Sequence, residues 1–420
     1  MKKKLKEISR NKFLRNVSTL AFGTILSQGI VVISSPLLSR LFSVEDFGVL
    51  SVFTSFSIFF AVLSTGRYEL AVGLPSSNSR ALKIIKLIIC IGAFVSIVYL
   101  LLIFLLKSVF HVYDKTGFLV QKEAYLAPIY IFFIAVYSAL GYWCQRKKNY
   151  KKITIANAVQ VILTTICSIL FGVVNFDSGM IWALIIGVIV SSLYLLFSEK
   201  NLLKDIIKQR NIKIVAKKYY SFPRYMIFSD LSLTASQQFI PILFSVLYST
   251  TVVGFFSMAN RMLRLPNIVI TSSIANVFRN DAIDEIREKG NCEELYKSTF
   301  KKLLFMSLPC YLALFIISPY LFEIIFGEKW HDAGIFARII SIFLLVEFIA
   351  TPLNTIFYIR EKQKVLMRLQ FLNALFGGVM IYLGFHFFSS PAVSLILFSL
   401  NSLIFNILFL FLSFKISKHV

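Results

Sequence analysis

The chain has 420 residues, 57% of them hydrophobic and 15% charged, with a mean hydropathy of +0.76. That is more apolar than a water-soluble domain needs for its core, so the solvent is the bilayer and any mechanism operates within or across it. The net charge of +23 would suggest nucleic acid in a soluble protein; here Lys and Arg gather in alternate short loops between apolar runs, which is topology and argues against a nucleic-acid partner.

A spanning helix needs about 20 predominantly apolar residues. Runs of this kind lie at 14–41, 47–72, 82–106, 124–144, 153–174, 179–198, 223–248, 252–278, 303–326, 333–358, 365–388 and 391–414. The expected fold class is therefore an all-α integral membrane protein of about 12 transmembrane helices, with both termini cytoplasmic. The amino-terminal run MKKKLKEISRNKFLRN is basic, and no small-residue cleavage site follows it, so the first helix is expected to remain. Lys2–Lys12, Gln145–Lys152, Lys200–Lys218, Arg279–Lys302 and Arg360–Arg368 supply the cytoplasmic charge, while the opposite loops hold Lys107, Lys115, Lys122 and Lys329.

The chain also reads as duplicated. Phe42-Ser-Val-Glu-Asp-Phe-Gly-Val-Leu-Ser51 aligns with Tyr248-Ser-Thr-Thr-Val-Val-Gly-Phe-Phe-Ser257, each at the junction of the first two helices of its half. The expected organisation is an N-terminal six-helix bundle with its basic cytoplasmic N-terminus at 1–198, a basic cytoplasmic connector at 199–222, and a C-terminal six-helix bundle at 223–420. The connector is expected to lie on the cytoplasmic surface as an amphipathic stretch.

Polar groups within the spans carry the functional signal. Arg67 and Glu69 close the second span in Gly66-Arg-Tyr-Glu-Leu-Ala71, near enough to the interface that snorkelling competes with a binding role. Asp230, Thr234, Gln237, Gln238 and Pro241 form a stripe on the seventh span. Asn260, Arg261, Arg264, Asn267 and Thr271 share one face of the eighth, where a 1.5 Å rise per residue puts the two arginines about 14 and 18 Å deep. Glu347, Thr351, Asn354 and Tyr358 stripe the tenth. A charge at mid-helix costs about 2.5–3.5 kcal/mol on insertion scales, so these faces turn from lipid. The acids Asp230, Glu347 and Glu69 either hold a coupling cation or proton or balance the arginines. Arg40 and Arg338, nearer the external ends, read as interfacial anchors.

Cys90, Cys144, Cys167, Cys292 and Cys310 form no CxxC pair, and His111, His331, His386 and His419 lack ligand spacing, so neither disulfides nor a metal site is indicated. There is no phosphate-binding glycine loop and no nucleophile with placed partners, which argues against an ATPase or another enzyme.

Leu38-Ser-Arg-Leu-Phe-Ser-Val-Glu-Asp-Phe-Gly48, Gly66-Arg-Tyr-Glu-Leu-Ala-Val-Gly-Leu-Pro75, Phe222-Pro-Arg-Tyr225, Gly254-Phe-Phe-Ser-Met-Ala-Asn-Arg261 with Leu265-Pro266, and Phe326-Gly-Glu-Lys-Trp-His-Asp-Ala-Gly334 occur in order along the chain. Together they resemble the polysaccharide biosynthesis or oligosaccharide flippase family (Wzx-like), within the superfamily of multidrug and toxic-compound extrusion (MATE-like) transporters and lipid II flippases. The resemblance implies two six-helix bundles around a central cationic cavity, working by alternating access. It implies an undecaprenyl-pyrophosphate-linked repeat unit, moved across the bacterial cytoplasmic (inner) membrane for O-antigen (lipopolysaccharide), capsule or exopolysaccharide, in partnership with glycan-assembly enzymes. Arg261 and Arg264 match the expected cationic cavity; Asn260 departs from the small residue expected in the motif. On this reading Arg261, Arg264, Arg67, Asn260, Asn267 and Gln237 bind substrate, no cofactor is needed, and a Na+ or H+ gradient is a possible drive. The alternatives are a cation-coupled multidrug exporter of the same fold and a membrane enzyme of glycan assembly such as a polymerase.

Overall fold

The computed structural model describes residues 23, 25–108 and 122–418, without the side chains of a few residues inside helices. The basic amino-terminal run, the start of the first expected span, His111, Lys115 and His419 lie outside the described residues, as do the side chains of Lys107, Gln237 and Pro266.

The first half contains α1 (Ile25–Leu41), α2 (Val44–Thr65), α3 (Asn78–Ser108), α4 (Ala127–Arg146), α5 (Tyr150–Val173) and α6 (Gly179–Phe197). Two short helices, α7 (Leu202–Lys208) and α8 (Ile212–Lys218), fill the connector. The second half contains α9 (Ile227–Leu247), α10 (Thr250–Lys289), α11 (Glu293–Phe326), α12 (His331–Leu353), short α13 (Thr355–Ile359), α14 (Gln363–Phe388) and α15 (Pro391–Lys418). Apart from the short helices, these elements form the two six-helix sets expected.

Nine spans among the described residues are long and apolar enough to cross a membrane. The three long helices outside that set are instructive. The described part of α1 is short, and in α9 and α10 some side chains within 229–237 and 266–269 lie outside the described set, so these helices are compared over part of their length. Helices α9 and α10 carry the polar stripes, which mark them as candidates for function. Elsewhere the outer faces are apolar, with Phe94 67%, Phe305 85% and Ile324 75% exposed, as lipid contact requires.

Local chemistry explains where the helices differ from expectation. Helix α2 opens on a capping box: Ser43 Oγ accepts from the Asp46 amide at 3.1 Å, and the Ser43 amide donates to Asp46 Oδ2 at 2.8 Å. It ends at Thr65, earlier than the expected 72, because Gly66 takes the left-handed conformation at φ 56°. Arg67 follows at φ 56°, a conformation costing a non-glycine residue about 1–2 kcal/mol. Tyr68–Ala71 then form a 3-10 turn. Helix α10 runs well past the expected 278, because the break comes only at Gly290, with φ 79° and its amide donating to Ile286 O. Its last turn is supported by the Glu285–Lys289 pair at 3.0 Å. The tenth expected span, 333–358, is divided at Asn354, two residues after Pro352.

By backbone proximity the chain forms two compact units, one of Met1–Asp46 with Val52–Gln238 and one of Phe47–Ser51 with Phe239–Val420. In the first, α4 packs on α3 and α6, and α6 on α5. Leu202 and Ile206 of α7 and Val215 of α8 are buried with Ile84, Ile88 and Trp143 in its core, and Tyr68 Oη donates to Ala216 O at 3.0 Å. In the second, α12 packs on α10, α11 and α15, and α14 pairs with α15. This central placement of α12 sets Glu347 against α10.

The second unit also takes in Phe47–Ser51. Phe47 meets the buried Trp330 edge-on at 5.0 Å. A Cβ on Gly48 would lie 1.8 Å from Thr250 O and 3.1 Å from Gly254 N. The two glycines paired by the internal repeat are therefore neighbours, and the repeat's serines have the same job: Ser249 Oγ accepts from the Val252 amide at 3.3 Å as Ser43 does in α2.

Candidate functional site

Six of the polar residues singled out in the spans pair in two clusters, one in each unit. In the first unit Arg67 follows the left-handed Gly66 that ends α2 and is itself left-handed. Arg67 Nη1 lies 3.0 Å from Glu69 Oε1, and Nε lies 2.7 Å from Asp230 Oδ2 on α9. Glu69 is 1% exposed, and its other oxygen is buried without a hydrogen-bond partner. The half-buried Tyr142 phenol on α4 lies in the field of all three charges. One guanidinium between two carboxylates leaves this cluster with no surplus positive charge.

Arg146, at the end of α4, closes the segment behind this cluster by donating to Val72 O and Gly73 O at 3.2 Å and to Ser76 O at 3.3 Å. Further along α9, Gln238 Oε1 accepts from Ser55 Oγ at 3.0 Å. Gln237 lies in the same helix, but its side chain is outside the described set.

In the second unit Arg264 is held on three sides. Nη1 and Nη2 meet Glu347 Oε1 and Oε2 at 2.6 and 3.2 Å, and Nε donates to Asn260 Oδ1 at 2.7 Å. The Asn260 contact follows from the i, i+4 spacing on α10; the Glu347 contact follows from the packing of α12 on α10. The guanidinium also lies over the Phe343 ring, 5.9 Å from its centroid, and the Tyr311 phenol on α11 feels both charges. The ion pair is half-buried, with side-chain exposures of 35% for Arg264 and 25% for Glu347.

Arg261, one turn earlier, differs. It is half-buried, and among the described residues it has no ion-pair or hydrogen-bond partner. Asn267 is buried, with its carbonyl accepting from Thr271 Oγ1 at 2.7 Å. Among the described residues, Arg264 and the neighbouring Arg261 thus stand against one carboxylate, a surplus of one positive charge at Arg261. Such a group is suited to pairing with an anion, and a guanidinium offers a planar donor fork that fits phosphate oxygens. Arg338, expected at the external interface, donates to Ile316 O at 3.3 Å. Among the described residues no group of three His, Cys, Asp or Glu stands together as metal ligands do.

Of the residues singled out in the sequence, the structure joins Arg67 with Glu69 and Asp230, and Arg264 with Asn260 and Glu347, while Arg261 and Asn267 lie on the same helix as Arg264. Tyr142, Tyr311 and Arg146 were not singled out. Tyrosines abound in the chain, and Arg146 sits in a basic loop where only the fold distinguishes a backbone clamp from a topogenic charge.

Two six-helix sets with polar clusters on α9, α10 and α12 define a multi-pass membrane protein. The chain is similar to an inward-facing multidrug resistance MATE family transporter of the MOP superfamily, with TM-score 0.69 and 13% identity over 93% of this chain and 94% of that one. It is similar also to lipid II flippase MurJ in an inward closed conformation, with TM-score 0.67 and 16% identity over 94% of this chain and 87% of that one. A third likeness is to a MOP superfamily transporter from Pyrococcus furiosus whose binding pocket is described as having reverse polarity, with TM-score 0.57 and 12% identity over 96% and 95% of the two chains. At these identities the likeness is one of fold. The profile of the family described as polysaccharide biosynthesis protein matches residues 37–335, and the chain belongs to that family. No curated protein matches its sequence.

Proposed function

We propose that this chain is a flippase that moves undecaprenyl-pyrophosphate-linked oligosaccharide repeat units from the cytoplasmic to the external leaflet by alternating access. The observation that carries the reading is Arg261: a half-buried guanidinium inside a membrane helix, one turn from a second arginine, with no carboxylate partner among the described residues. An unbalanced cation in that place is costly unless an anion visits it. A pyrophosphate crossing the bilayer needs such a group to replace its water, while its lipid tail stays in hydrocarbon. Membership in a polysaccharide biosynthesis family supports a lipid-linked glycan as the cargo, and the likeness to a lipid II flippase supports a fold able to move one.

On this reading the protein sits in the bacterial cytoplasmic membrane with both termini inside. It handles repeat units of O-antigen, capsule or exopolysaccharide made by neighbouring glycan-assembly enzymes, and it performs no bond chemistry itself. The Arg67, Glu69 and Asp230 cluster balances charge or takes part in coupling to a Na+ or H+ gradient. A second reading, a cation-coupled multidrug exporter, draws support from that cluster, whose carboxylates outnumber its one cation.

The test is headgroup translocation of lipid-pyrophosphate-linked oligosaccharide in proteoliposomes, with Na+ and proton gradients varied and with wild type compared to Arg261→Gln at matched insertion. Transport that falls at least tenfold in the variant supports the cationic-anchor flippase. Cationic drug transport with no headgroup movement transfers the assignment to the exporter.

A further inference from the structure

The unequal surroundings of Arg261 and Arg264 carry a further step, which rests on the flippase reading. We infer that Glu347 is a specificity-determining residue: a built-in carboxylate that occupies Arg264 when no cargo is bound and that an incoming pyrophosphate must displace.

The geometry is that of an occupied anion site. Glu347 presents both oxygens to both terminal nitrogens of Arg264, at 2.6 and 3.2 Å, the side-by-side arrangement in which a guanidinium also binds a phosphate. Asn260 holds Nε at 2.7 Å, so the fork stays aimed when its partner changes. The pair is not sealed: both side chains retain a quarter or more of their exposure, so one anion can replace another without unfolding the helices around them. Arg261 is the entry point, since its charge needs no displacement. The groups that face the exchange are Arg264 and Asn260 on α10, Tyr311 on α11, and Phe343 beside Glu347 on α12.

The consequence is selectivity by competition. A ligand with one charged group gains Arg261 but does not repay the loss of the Arg264–Glu347 pair. A pyrophosphate spans two adjacent charged phosphoryl groups, so it can engage Arg261 with one and take Arg264 from Glu347 with the other. Glu347 therefore weakens binding of every anion, and it weakens monophosphates below usefulness. It also returns to Arg264 when the headgroup leaves, which lowers the cost of release.

The test is binding of inorganic pyrophosphate and of inorganic phosphate to the purified full-length chain in nanodiscs, by calorimetry, for wild type, Glu347→Gln, Arg264→Gln and Arg261→Gln. Glu347→Gln keeps the side chain's size and removes its charge. It is expected to bind pyrophosphate about tenfold more tightly than wild type, equivalent to about 1.4 kcal/mol, and to gain phosphate binding that wild type lacks. Arg264→Gln is expected to lose the difference between the two ligands, and Arg261→Gln to lose both. If Glu347→Gln binds pyrophosphate no more tightly than wild type while Arg261→Gln abolishes binding, the competitor role is wrong and the cationic anchor stands. If no variant's binding depends on Arg261, the anchor and the inference fall together. Thermal unfolding of each variant in the same nanodiscs separates a lost site from a lost fold.

Discussion

Arg264 and Glu347 meet through both pairs of polar atoms across the contact between α10 and α12, whereas Arg261, one turn away on α10, meets no charged or hydrogen-bonding group among the described residues. Two arginines of similar depth are thus chemically unlike. Replacing Arg264 by Gln leaves the Glu347 carboxylate half-buried without its cation, while replacing Arg261 leaves no charge behind. The expected outcome is that Arg264→Gln lowers stability by about 1 kcal/mol, the scale for a partly exposed pair, and that Arg264→Gln with Glu347→Gln recovers most of it. Arg261→Gln is expected to leave the melting temperature unchanged or raised. Thermal unfolding of the three variants in one detergent measures this, and a stability loss in Arg261→Gln equal to that in Arg264→Gln would contradict it.

Much of this arrangement was legible in the chain, and the reason for the rest is physical. Apolar run length fixes where spans lie, because the bilayer allows few alternatives. The 3.6-residue period places Asn260, Arg261, Arg264 and Asn267 on one face of α10, and the i, i+4 spacing accounts for the contact between Asn260 and Arg264. Which acid neutralises which arginine was not legible. Arg264 and Glu347 are 83 residues apart, and their meeting depends on the rotation of α12 against α10, which periodicity does not give. The end of α2 was missed by several residues because the left-handed pair Gly66 and Arg67 sits inside an otherwise apolar stretch. The extension of α10 was missed because its charged last turns read as a loop, although their spacing suits i, i+4 pairing.

The Arg67 cluster makes a separate prediction. Among the described residues Arg67 is the one cation paired with both Glu69, which is 1% exposed, and Asp230. Removing it leaves two carboxylates facing each other with one of them out of water, so Arg67→Gln is expected to cost about 3 kcal/mol or more, at the lower end for breaking a buried pair. Asp230→Asn leaves the Arg67–Glu69 pair in place and is expected to cost no more than about 1 kcal/mol. Arg67→Gln combined with Glu69→Gln should recover folded yield. Size-exclusion profiles and melting curves in detergent distinguish these outcomes; equal losses in Arg67→Gln and Asp230→Asn would show that the cluster does not balance charge as described.

Close approach at Gly48 is a packing prediction independent of charge. A Cβ there would fall 1.8 Å from the Thr250 carbonyl oxygen, and the obstruction is backbone, which does not move aside cheaply. Gly48→Val is therefore expected to reduce folded protein several-fold. Gly29→Ala in α1, where a Cβ meets nothing within 4 Å, serves as the control and is expected to be neutral or stabilising by up to about 1 kcal/mol. Fluorescence-detected size exclusion of the two variants reads the contrast directly.

Cys292 tests the packing of the loop between α10 and α11. It lies between α10 and α11, is fully buried, and its amide donates to Ser417 O at 3.1 Å, which ties the end of α15 to the start of α11. Burial pushes its thiol up to about 11, against a smaller lowering by Arg360. Arg360 is itself anchored to Gly290 O at 2.6 Å. A thiol with a raised value remains protonated through neutral and mildly alkaline pH, and only the thiolate reacts quickly. The exposed Cys90 and Cys310 lie on membrane helices, so water-soluble maleimide reports chiefly on whether the loop around Cys292 opens. In a variant retaining Cys292 as its only cysteine, labelling at pH 7.5 is expected to be at least a hundredfold slower than after denaturation, and to rise as pH approaches the shifted value. Arg360→Gln removes both the lowering charge and the clamp on Gly290, which act in opposite directions on reactivity. Faster labelling in that variant would show that the clamp keeps the loop shut, and slower labelling would show that the loop stays closed without it while the thiol loses its cationic neighbour.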